Sequence, residues 1–175
     1  MTAQRAIATA AVLAACACGP VGAATHAESP DGRWRVDGDG AAVVVRDAGH
    51  VARALPAADL GGRETGRVAD VHYLPRRRSF VIVFAGLAEL WELSVDASAP
   101  PVYDGLVHDW RLGEAVPTPG FLGVRRTRLP APAATLRPED GQTPSQPHVL
   151  VSVPGAELLV HLEVRRVIAR FALQP

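Results

Sequence analysis

Five consecutive apolar residues, Phe80-Val81-Ile82-Val83-Phe84, constrain this chain more than any other feature. The run is β-branched and aromatic, and it is too short for a buried helix, so it predicts a strand covered on both faces. Gly86 breaks it, and a second run follows at Leu90-Trp91-Glu92-Leu93-Ser94-Val95. There Trp91, Leu93 and Val95 alternate with Leu90, Glu92 and Ser94, the period of a strand with one wetter face. Two strands about a short glycine-containing turn predict a hairpin, entered through the turn Pro75-Arg76-Arg77-Arg78.

The rest of the chain supplies strand-length runs. With 15 Pro and 16 Gly in 175 residues, many short strands and turns are favoured over long helices. Ser29-Pro30-Asp31-Gly32-Arg33-Trp34 is a turn entering a strand, and residues 25–28 before it read as a tether. Strands are predicted at Ala41–Arg46, His50–Leu55, Val68–Tyr73, Phe121–Leu129, His148–Val153, Glu157–Leu162 and Arg166–Leu173. The Pro/Ala-rich stretch from Pro130 to Pro147 reads as a long loop or a locally disordered insert. Val36–Leu55 and Val151–Leu173 echo each other as strand, glycine turn, strand, turn and strand, which suggests repeated blades. A blade takes about 40–50 residues, so roughly 150 mature residues supply about three. The predicted fold is therefore all-β, a partial β-propeller of about three antiparallel blades over residues 25–175.

Residues 1–24 read as a leader. Arg5 precedes an apolar stretch, Ala6 to Ala15, of signal-peptide length and too short to span a bilayer. Leu13-Ala14-Ala15-Cys16 has the pattern of a lipoprotein cleavage site that would leave Cys16 acylated. Ordinary cleavage after Ala23 or Ala24 is the alternative. Both predict export; the first predicts a periplasmic protein held on a membrane by its lipid. Cys16 and Cys18, the only cysteines, are too close for an easy disulfide. No Cys-x-x-Cys-His is present, so no c-type haem is expected. The formal net charge of +0 argues against a general nucleic-acid partner. All 18 basic residues are arginine, which in so Ala-, Gly- and Pro-rich a chain reads as compositional bias and implies no function.

Three segments, SFVIVFAGLAELWELSVD, PPVYDGLVHDWRLGE and PGFLGVRRTRL, together resemble the propeller domain of the haem d1 proteins. That domain forms the catalytic part of cytochrome cd1 nitrite reductase. The resemblance is nearest to the branch that assists haem d1 biosynthesis in denitrifying bacteria, and it runs from roughly Val68 to Leu129. It implies an eight-bladed ring, haem d1 or a haem d1 precursor as cofactor, and other haem d1 biogenesis proteins or nitrite reductase as partners. The family pattern would continue beyond Leu129 with aromatic residues and a well-formed blade, where this chain has its Pro/Ala-rich stretch. About three blades cannot close an eight-bladed ring, so a fragment, an assembly of subunits or an open stack with exposed edges is expected.

The loop after Pro100-Pro101 gathers Tyr103, Asp104, His108, Asp109, Trp110 and Glu114. In light of the resemblance, His108 is the candidate iron ligand or proton shuttle; the alternative is a loop histidine bonded to Asp104 or Asp109. Tyr103 is a candidate for a tetrapyrrole carboxylate, or else packs on the hairpin. Asp109 and Glu114 would orient His108 or act as acid and base, or are solvated. Arg111, Arg125 and Arg126 suit the cofactor's carboxylates, or form a solvated strand face. His72 and Trp91 read as structural. No phosphate loop, zinc spacing or Ser-His-Asp order stands out. Two functions follow: an exported tetrapyrrole-binding accessory protein in haem d1 biosynthesis, or a truncated non-catalytic propeller fragment acting as an interaction module.

Overall fold

The structure, a computed structural model, describes residues 25–103, 117–138 and 147–173. Among them are twelve strands and no helix. They are β1 (His26–Glu28), β2 (Trp34–Asp39), β3 (Ala42–Asp47), β4 (His50–Pro56), β5 (Arg67–Leu74), β6 (Ser79–Ala85), β7 (Glu89–Ser94), β8 (Val124–Arg128), β9 (Thr135–Pro138), β10 (His148–Val153), β11 (Ala156–His161) and β12 (Arg166–Ala172). They form three four-stranded sheets, β1-β2-β3-β4, β5-β6-β7-β8 and β9-β10-β11-β12, each strand bonded to its neighbours in chain order. Every pairing is antiparallel. The first strands of the sheets lie together, β5 against both β1 and β9.

The middle sheet is covered on both faces, as the Phe80–Phe84 run requires. Phe80, Ile82 and Phe84, with Trp91 and Leu93, pack on Trp34, Val36, Val43 and Val45 of the first sheet. Val81, Val83 and Leu90 point the other way, onto Val149, Val151, Leu158 and Val160 of the third. Burying each such side chain contributes roughly 1.5–3 kcal/mol. The Phe84 and Trp91 rings meet edge-on at 4.6 Å. Close approach of the first two sheets depends on Gly38, where a Cβ would lie 2.5 Å from that of Val68.

The repeat seen in the sequence has a structural counterpart. In the first sheet the β3–β4 register slips between Val45 and Arg46; in the third, β11–β12 slips between Leu159 and Val160. The same strand pair therefore carries a bulge in both, and a bulge bends and twists the strand that bears it. The middle sheet carries its slip in β5 instead, between Val68 and Asp70. There the buried Asp70 accepts the Val71 and Leu136 N–H groups, each at 2.9 Å. This joins the second sheet to the third.

Four expectations change. Residues 26–28 are strand β1, not tether, because their backbone completes the ladder of β2. Thr135–Pro138, inside the expected 130–147 loop, is strand β9, bonded to β10; residues 139–146 lie outside the described residues. The strand expected from Phe121 begins only at Val124. Before it the chain turns, with Leu122 in the left-handed region at φ 56° and Gly123 N–H bonded to Gly120 O at 2.9 Å. Finally, the face of β7 expected to be wetter is covered: Glu92 is buried.

Candidate functional site

Beyond β7 the chain runs through Pro100-Pro101, neither of which has an N–H to add to a strand ladder. Val102 and Thr118 then exchange two backbone hydrogen bonds of 2.9 Å. The excursion between them is thus closed at its base. Tyr103 is 49% exposed on its near side. His108, Asp109, Arg111 and Glu114 lie within 104–116, outside the described residues, as does Cys16.

Beneath this base is a cavity of ≈ 370 Å³. One wall is the strip Ala99, Pro100, Pro101, Val102 and Tyr103; the other carries Arg76, Arg77, Arg125 and Arg165 with Glu92, Asp96 and Glu163. The arginines come from three places: the β5–β6 turn, strand β8, and the β11–β12 turn of the third sheet.

At its centre is a four-residue ion network. Arg77 grips Glu92 with two hydrogen bonds, 2.6 and 3.1 Å, and reaches Glu163 at 3.1 Å. Ser79 Oγ donates to Glu92 at 2.9 Å. Arg125 donates to Glu163 at 3.2 and 3.3 Å and stands 3.8 Å from Glu92. Burial opposes the charge on Arg77, but the hydrogen bonds and charges of Glu92 and then Glu163 outweigh it and raise the pKa above the usual guanidinium value. The hydrogen bond from Arg125 is the chief cause that lowers Glu163 below the usual carboxylate value, helped by the charges of both arginines against partial burial.

Strand alternation separates the two consecutive arginines. Arg125 stands opposite Glu92 and faces the cavity, whereas Arg126 stands opposite Trp91 and faces the first sheet. Arg126 lies 4.3 Å over the Trp91 ring and donates to Glu89 at 2.9 Å and to Ala58 O at 2.7 Å. Trp91 Nε1 also donates to Glu89, at 2.7 Å. His72 Nε2 lies 3.5 Å from the buried Asp70 carboxylate.

Of the sequence candidates, the structure brings Tyr103 and Arg125 to one cavity and sets Arg126 apart from it. Arg76, Arg77, Glu92, Arg165 and Glu163 join them without having been singled out. The run Arg76-Arg77-Arg78 beside the hairpin was a usable signal for the first two. Nothing local marks Glu163, which arrives from another sheet 38 positions away from Arg125. Among the described residues no group of three or more His, Cys, Asp or Glu is placed to hold a metal ion.

A solved structure of the dihydro-heme d1 dehydrogenase NirN in complex with DHE matches this chain with a TM-score of 0.61 at 23% identity. The fold is that of a β-propeller. The match covers 85% of this chain and 28% of that one, so the chain spans less than a third of the structure it resembles. The three sheets described above are accordingly three blades. No protein-family model and no curated protein matches the chain.

Proposed function

We propose that this protein binds a carboxylate-bearing tetrapyrrole, haem d1 or a precursor of it, as an accessory protein of haem d1 biosynthesis. The observation supporting it is the arginine-lined cavity at Tyr103 and Arg125, on a fold shared with a dihydro-heme d1 dehydrogenase solved in complex with DHE. Small-molecule sites run from about 300 to 1,000 Å³, and this cavity, at ≈ 370 Å³, is at the small end. It suits one carboxylate-bearing edge of the macrocycle rather than the whole ring. Arg125 and Arg77 would hold carboxylates through their planar forks, and Tyr103 would add a hydroxyl donor. Haem iron would supply redox chemistry, with His108 the candidate ligand. In this reading the chain is exported and lipid-anchored at Cys16, and works with other haem d1 biogenesis proteins or nitrite reductase.

The test is a spectral titration of the purified protein with haem and with a haem d1 precursor. A Soret shift that saturates in the wild type and weakens in Arg125→Gln is expected. No spectral change with either ligand would sink the proposal.

The interaction-module reading draws on the outward face of the third blade. Leu150 and Leu159 stand side by side there, and Ile168 and Phe171 of the edge strand β12 are each 50% exposed. The outward face of the first blade is instead a ladder of ion pairs, Arg35 with Glu28 and Asp37, and Arg46 with Asp37. Self-association that Leu159→Asp abolishes would favour this reading, and a wild type monomeric in sedimentation would count against it.

A further inference from the structure

The two carboxylates held by Arg77 and Arg125 are not equivalent. Glu92 belongs to strand β7, its side chain is 5% exposed, and Arg77 and Ser79 hold it with three hydrogen bonds. Glu163 reaches in from the β11–β12 turn of the neighbouring blade, its side chain 56% exposed, with contacts of 3.1 to 3.3 Å. Without the Glu163 carboxylate, Glu92 still grips Arg77 with two hydrogen bonds, and Arg125 keeps the Glu163 backbone oxygen at 3.3 Å and the Glu92 charge at 3.8 Å.

We infer that Glu163 is an internal stand-in for a ligand carboxylate. It occupies the arginine pair in the free protein and is displaced when a ligand with an apolar or aromatic body and a carboxylate enters the cavity. An exposed ion pair has water as a ready competitor and contributes little net stability. Exchanging one carboxylate for another on the same guanidinium groups is therefore nearly balanced. Contact of the ligand's apolar body with the wall from Ala99 to Val102 tips the exchange, since burying apolar surface is favourable without regard to charge. Release of Glu163 also removes a tie between the second and third blades. This inference deepens the tetrapyrrole reading by saying how its site is kept closed, but it requires only a carboxylate on an apolar body.

The experiment uses 1-pyrenebutyrate, a fluorescent aromatic carboxylate, titrated into the full chain, with the uncharged 1-pyrenebutanol as control. Glu163→Gln keeps the size of the side chain and removes its charge. It should bind pyrenebutyrate about tenfold more tightly than the wild type, because the internal competitor is gone, and Arg125→Gln should bind it about tenfold more weakly. Affinity for pyrenebutanol should stay the same in all three proteins. Circular dichroism checks folding, and Glu163→Ala serves as a second variant should Glu163→Gln misfold. The inference is overturned if removing Glu163 leaves pyrenebutyrate affinity unchanged or lowers it, if pyrenebutanol gains equally, or if no protein binds the acid. Since no porphyrin is present, these results stand apart from the Soret titration. Tighter pyrenebutyrate binding by Glu163→Gln with no Soret change would refute the tetrapyrrole reading alone.

Discussion

Glu92 shows how one side chain changes meaning with its surroundings. On an alternating strand it reads as a solvent-facing residue, yet it is buried and held by Arg77 and Ser79. A buried carboxylate is tolerated only when paired and hydrogen-bonded. Arg126 follows the same logic on the opposite face, with Glu89 and Trp91 around it. Arg126→Ala would leave Glu89 with only the indole N–H as a described side-chain donor. It should cost about 3 kcal/mol, as expected for breaking a buried pair, measured by urea denaturation with the slope unchanged. Glu163 predicts a pH effect. Its carboxyl titrates lower in the folded chain than its ordinary value of 4.5. The stability it contributes is therefore complete above that ordinary value and is lost as pH falls through the lowered folded one. Melting temperature should drop on acidification through that window slightly more in the wild type than in Glu163→Gln, since a half-exposed pair contributes little. Equal acid sensitivity would show that the pairs with Arg125 and Arg77 add nothing to stability.

At the scale of elements, strands of ordinary length were legible because a two-residue period is a local property. The shortest strands, β1 and β9, carry three and four residues, too few for a period to show. They exist because a neighbouring strand offers a ladder. The segment before β8 was misread for the opposite reason. Phe121-Leu122 is apolar enough for a strand, but Gly120 and Gly123 press the backbone into a turn against the 99–100 strip. A Cβ on Gly120 would lie 2.1 Å from Pro100 O and 2.3 Å from Ala99 O, both backbone atoms with little room to move. Gly120→Ala should therefore destabilise the cavity wall, opening the Val102–Thr118 bridge and exposing those amides to hydrogen exchange while the β6 amides stay protected. Unchanged protection at Val102 and Thr118 would disprove this account of the turn.

Among the described residues the middle blade is packed on both faces. Its two apolar sides belong to two separate clusters, one shared with each neighbour. The outer blades each keep an outward face, charged on the first and partly apolar on the third. The middle blade therefore depends on both neighbours. Deleting residues 135–175 would expose Val81, Val83 and Leu90 together and leave the Asp70 carboxylate without the Leu136 N–H. That truncated chain should aggregate or lose its cooperative thermal transition, read by light scattering and calorimetry. A soluble, cooperatively folding truncation would show that the second cluster is dispensable. The ≈ 370 Å³ cavity belongs to this scale too, since its walls come from two blades and a long excursion between β7 and β8.

The amino-acid sequence by itself determined the strands of the central hairpin, the all-β class and the division into about three blades, because alternation, apolar runs and glycine turns act over a few neighbouring residues. Through the resemblance it also offered Tyr103 and Arg125 as partners for a cofactor carboxylate, with a packed tyrosine and a solvated strand face as the alternatives. Only the tertiary structure decided that these two share a cavity, that Arg126 faces away from it, and that Glu163 pairs with Arg77 and Arg125 at its wall. Those outcomes depend on how one blade is set against the next. The pairs involved, Arg125 with Glu163 and Asp70 with Leu136, are 38 and 66 positions apart. No local pattern encodes such a meeting; it follows from packing the two faces of the middle blade at once.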